Sequence, residues 1–87
     1  MNRLVLLTWK DAQESDGTWT DIEDIKKHSL ATCQEAGWLV HQDKEKVIVM
    51  RSRIVEEDDE IKEGGAFIAI PSTWIIDIKN LEVVKDV

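Results

Sequence analysis

Arg51 and Arg53 stand two apart in the run Lys46-Val47-Ile48-Val49-Met50-Arg51-Ser52-Arg53. If that run is a strand, both guanidinium groups share the face of Val47 and Val49, and each can grip a phosphate or carboxylate bidentately. The more ordinary use of such a pair is to balance neighbouring acids such as Glu35. Four tryptophans accompany them in a chain with no tyrosine. Trp9 and Trp38 fall inside strand patterns and are expected to pack. Trp19 and Trp74 border loops, where an indole can stack on a base or a proline. Together with Pro71, Asp11 and Asp16, they make up one candidate binding surface.

Catalytic and metal chemistry find little support. His28 and His41 belong to no His-x-x-x-His pattern, and Cys33 is the one cysteine, so neither a zinc site nor an internal disulfide is expected. Cys33 is expected as a buried, inert thiol on a strand. Asp58, Asp59 and Glu60 lack the alternating ligands and terminal bidentate glutamate of a calcium loop. No nucleophile with its base and no phosphate loop can be assembled, so no catalytic residue, cofactor or metal is assigned. The acids Glu56, Glu57, Asp58, Asp59 and Glu60 form a solvated charge run that doubles as a candidate surface for a basic partner.

The 87 residues have room for one domain, spanning 1–87, around one modest core. An apolar fraction of 43% with a charged fraction of 33% suits a folded domain with a strongly solvated exterior. The net charge of −7 repels nucleic-acid backbones and disfavours direct DNA or RNA binding. No apolar run reaches the ~20 residues of a spanning helix, and Met1 to Leu7 is too short for a signal-peptide core, so a cytoplasmic protein is expected.

Leu4 to Trp9 alternates as a first strand. Ser15-Asp16-Gly17 is a turn in which glycine can take positive φ. Thr20-Asp21-Ile22-Glu23 reads as a capping box before a helix of about two turns, with Ile22 and Ile25 as its apolar face and Trp19 stapling that face down. Lys26, Lys27 and His28 complement its C-terminal end. Thr32–His41 and Lys46–Arg53 form a hairpin around the turn Gln42-Asp43-Lys44-Glu45, and Gly37 marks a bulge or sharp bend. Residues 56–65 read as an exposed, mobile connection. Ala66–Ile70 and Thr73–Ile78 are the last strands, separated by Pro71-Ser72.

That order of elements is similar to the SH3-like barrel, a mainly β fold of five antiparallel strands, here with a helix in the long loop after strand 1. The likeness is strongest at Ala69-Ile70-Pro71-Ser72-Thr73-Trp74-Ile75, which looks like the one-turn helix preceding the last SH3 strand. The hairpin, with its glycine early in one strand, also looks like the Sm-like variant. Leu6-Leu7-Thr8-Trp9-Lys10-Asp11-Ala12 and the lone Trp38 depart from the aromatic motifs of SH3 domains, which speaks against proline-rich peptide binding. Sm-like RNA-binding residues have no counterpart. Over nearly its full length, through Thr8–Ala12, Ala36–Leu39 and Ile70–Ile75, the chain also resembles small uncharacterised proteins encoded by bacteriophages and prophages. That resemblance implies a phage or bacterial cytoplasmic setting and brings no activity with it.

The expectation is therefore a non-catalytic binding module, a phage-encoded accessory protein whose acidic surface contacts a host or phage protein. The alternative is a small-ligand binder that holds or sequesters a nucleotide between tryptophan and Arg51 or Arg53, countering host defence signalling. Open sheet edges make a homo-oligomer a further possibility.

Overall fold

Alternation of apolar side chains on β1, Leu4–Asp11, buries Val5, Leu7 and Trp9 on one face of the strand. In the computed structural model, which describes residues 3–84, this strand lies next to the edge of one five-stranded antiparallel sheet. β2 (Ala31–Gln42), β3 (Lys46–Val55), β4 (Ile61–Pro71) and β5 (Ile75–Asn80) complete it in the order β4-β3-β2-β1-β5. The sheet is open: among the described residues no ladder joins its edges β4 and β5. Mainly β with one short helix is thus the architecture: the five antiparallel strands expected from the sequence are present, in an open sheet.

The core gathers Val5, Leu7 and Trp9 of β1 with Val47 and Val49 of β3 and Ile70 of β4. Cys33, Leu39, Ile68, Ile75 and Ile78 pack against it, so the lone thiol is a partly buried core neighbour. β2 serves two neighbours in succession. Its first half, Ala31 to Trp38, pairs with β1, and its second half, from Trp38 to Gln42, pairs with β3. The expected irregularity at Gly37 falls instead at Val40, where the ladder shifts between Leu39 and His41. Gly37 has another use: a Cβ there would stand 2.6 Å from the Met50 carbonyl oxygen, so only glycine lets β3 cross so close.

The second half of the connection expected at residues 56–65 is strand. β3 continues to Val55 and β4 begins at Ile61, with Ser52 opposite Gly65 and Ile54 opposite Glu63. Beyond Met50, β3 has left β2, so Arg51–Val55 and their β4 partners form a two-stranded arm. Glu56 to Glu60 make the tight turn at its tip, closed by Glu56 N–H to Glu60 O at 2.9 Å and Asp59 N–H to Glu56 O at 2.9 Å. Sequence reasoning lost this pairing because Gly64-Gly65 and the acids have low strand propensity, which a facing strand overrides.

The segment between β1 and β2 also differs from expectation. α1 is a single turn, Ile22–Ile25, with Asp21 at its N-cap and no side-chain cap bond, so the capping box does not form. The Thr20 hydroxyl instead donates to the Thr18 carbonyl at 3.4 Å. Trp19 staples nothing: it is fully exposed, and Ile22 and Ile25 remain more than half exposed. A short helix without a docked apolar face has nothing to extend it, and Lys26 becomes its C-cap, in an ion pair with Glu23 at 3.0 Å. Gly17 takes the expected positive φ, 89°. With this segment and the arm, the molecule measures 59 × 29 × 25 Å. Its radius of gyration is 17.3 Å, against about 12 Å for a compact domain of this length.

Candidate functional site

The structure separates the two arginines. Arg51 Nε reaches Glu35 Oε1 at 2.7 Å, the balancing role that the sequence suggested. Glu35 is on the inward side of β2, in alternation with Cys33 and Gly37, and is 21% exposed against 62% for Arg51. A pair this exposed on one side contributes at most about 1 kcal/mol. Arg53 takes a different partner. Its guanidinium carbon sits 4.2 Å from the centroid of the Trp38 ring, a cation–π contact worth about 0.5–2 kcal/mol. Arg53 Nη1 is fully covered and has no hydrogen-bond acceptor. Trp38 is half-buried and works as a platform for Arg53 as well as a packing residue.

An open cleft of about 560 Å³ adjoins this stack, lined by Ser52, Arg53, Ile54, Lys62, Glu63, Gly64 and Gly65. Across the ladder Arg53 faces Gly64, whose missing side chain leaves room for the Met50 sulfur. Sequence reasoning named Arg53 but missed Trp38 as its partner, because the contact arises only where β2 bends away from β3.

Trp74 and Asp11 do come together. They line a mainly apolar cleft of about 390 Å³ with Leu30 and Ile76. That cleft does not include Trp19, Asp16 or Pro71. Pro71 ends β4 and precedes a 3-10 turn, Ser72–Trp74, tied to the β2–β3 turn by Ser72 N–H to Glu45 O at 3.0 Å and Ser72 Oγ to Asp43 O at 2.7 Å. Asp16 closes a local turn by accepting from the Thr18 hydroxyl at 2.7 Å and the Thr18 amide at 3.0 Å, which lowers its pKa.

The same logic acts more strongly at Asp43. Its Oδ2 meets His41 Nε2 at 2.6 Å, and its Oδ1 accepts from the Lys46 and Glu45 amides at 2.9 and 2.8 Å. The His41 contact, followed by these amides, holds its pKa down at about 2. His41 and Asp43 therefore organise a turn. The His28 backbone amide donates to Ile25 O at 3.0 Å, just past α1. Among the described residues no three His, Cys, Asp or Glu side chains converge as a metal site, and no helix is long and apolar enough to cross a membrane.

Exposed apolar side chains occur on the arm, on the segment between β1 and β2, and on the sheet and the stretch after it. Ile54 and Val55 on the arm are 54% and 56% exposed, next to the acids Glu56, Glu57, Asp58, Asp59 and Glu60 at its tip. Trp19, Ile22 and Ile25 are interleaved with Asp16, Asp21, Glu23 and Asp24. Outside the arm's tip, Phe67 on β4 is 70% exposed beside Val40, Ile48 and Met50. No family model, curated protein or solved structure matches the chain.

Proposed function

We propose that the protein is a non-catalytic binding module that engages a basic protein through its acidic projections. The observation that carries this reading is the β3–β4 arm: beyond Met50 its strands pair only with each other, its Ile54 and Val55 are exposed, and five consecutive acids form its tip. An exposed apolar strip bordered by carboxylates complements a partner surface in which apolar residues are bordered by Lys and Arg. The segment carrying Trp19, Ile22 and Ile25 repeats that composition, and exposed tryptophan is among the strongest anchors of protein interfaces. A net charge of −7 opposes direct contact with nucleic acid but favours the basic groove of a nucleic-acid-binding protein.

The fold type we assign is the SH3-like barrel, supported by the strand order β4-β3-β2-β1-β5 and the 3-10 turn between the last two strands. The resemblance to phage and prophage proteins supplies the setting, a host cytoplasm with a host or phage protein as partner. Capture of partners from a bacterial lysate at low and high salt, followed by titration of the purified partner, tests the reading. A basic protein that binds directly and is released by salt supports it; the absence of any salt-sensitive protein partner contradicts it.

A further inference from the structure

We propose that Arg53, held on the face of Trp38, is a binding site for a small oxyanion, a phosphate or a carboxylate, in the cleft at the base of the arm. This site is independent of the protein-binding reading. The chain holds 18 Asp and Glu against 11 Lys and Arg, so carboxylate acceptors for an arginine are plentiful. Yet among the described residues Arg53 makes no hydrogen bond and no ion pair, while Arg51, two residues earlier, is taken by Glu35. Its guanidinium is also held in place: the Trp38 ring lies 4.2 Å away and Nη1 is covered. Stacking on an indole orients the planar donor fork before any ligand arrives, which lowers the ordering cost of binding.

The cleft around it fits an anion. Lys62 lines it and makes only a long ion pair with Glu60, 3.5 Å, at 63% exposure, so its ammonium can turn towards a ligand. On the opposite strand the side-chain place of Gly64 is taken by the Met50 sulfur, while nothing lies within 4 Å of where a Cβ of Gly65 would be. Glu63 also lines the cleft and opposes an anion, so both cations are needed. Phosphate and carboxylate offer the same paired oxygens to a guanidinium fork.

The test is an NMR titration of the full chain with inorganic phosphate, acetate and chloride at matched ionic strength, following the Arg53 Nε–H and the Trp38 indole N–H. Saturable shifts with phosphate, acetate or both, absent with chloride, are expected, and the anion that acts identifies the source. Arg53→Lys keeps the charge but loses the fork and should weaken the response about tenfold, while Arg51→Lys leaves it unchanged. Linear shifts equal for all three anions overturn the site, as does an Arg53→Lys variant that melts and titrates like the parent. The parent titration stands without any variant, so a folding defect in Arg53→Lys does not rescue the proposal.

Discussion

A Cβ placed on Gly37 would lie 2.6 Å from the Met50 carbonyl oxygen and 3.2 Å from its carbonyl carbon. The obstacle is backbone, which cannot swing aside as a side chain can. This crossing lets β2 hand over from β1 to β3, so both halves of the sheet depend on it. Gly37→Ala is expected to destabilise the fold by about 1–3 kcal/mol, measured by urea denaturation. An unchanged midpoint would show that the strands can separate at no cost.

Ala66 has φ of 51°, in the left-handed region that costs a residue with a Cβ about 1–2 kcal/mol. Glycine removes that cost but loosens the unfolded chain by roughly 0.4–1 kcal/mol. Ala66→Gly is expected to leave stability level or raise it by up to about 1.6 kcal/mol, by the balance of the same two effects. A fall in melting temperature would contradict the strain assigned to this position.

At the β2–β3 turn, Asp43 has its carboxyl held at a pKa of about 2, below the ordinary 3.8, by His41 and the Lys46 and Glu45 amides. A depressed folded-state pKa stabilises the fold at pH values above the unfolded one, and that contribution is lost as pH falls from 3.8 through about 2. The Asp43 carboxyl carbon should therefore titrate by NMR near pH 2, and Asp43→Asn should flatten the loss of stability across that window. Titration at the ordinary value would contradict the hydrogen-bond account of the turn.

Trp19 touches no core residue and is fully exposed, with Ile22 and Ile25 on the same segment. Truncating Trp19 to alanine should change stability by less than about 0.5 kcal/mol, while costing 2 kcal/mol or more of partner affinity if it anchors an interface, by the magnitude typical of such residues, roughly 2–4 kcal/mol. Denaturation and a binding titration on the same variant separate these effects. Lost stability with unchanged binding would make Trp19 a structural residue.

Much of the sheet was legible because its signals are local. The alternation of Val5, Leu7 and Trp9, the dense β-branched run of β3 and the break at Pro71 each read directly as strand or strand end. So did the balance of Arg51 by Glu35. The arm was illegible because Lys62, Glu63, Gly64 and Gly65 become strand only by facing Ser52–Val55 across a tight turn. The two-turn helix failed for the converse reason: its capping and charge pattern favoured a helix, but Ile22 and Ile25 found no surface to bury against. Register shifts such as that at Val40, and the meeting of Arg53 with Trp38, depend on how strands bend past one another, which composition and spacing do not encode.

The acidic arm is the centre of the functional account, and neutralising it tests that account most directly. Glu56→Gln, Glu57→Gln, Asp58→Asn and Glu60→Gln combined remove four charges from the tip and leave Asp59, with its φ of 66°, in place. The measurement is the affinity of the captured basic partner for this variant and for the parent at low salt, with circular dichroism confirming the fold. The expected result is an intact sheet with binding weakened at least tenfold, on the scale of about 1.4 kcal/mol, and with its salt dependence reduced. Equal affinity and equal salt dependence in the two proteins would contradict the claim that the acidic arm is the binding surface.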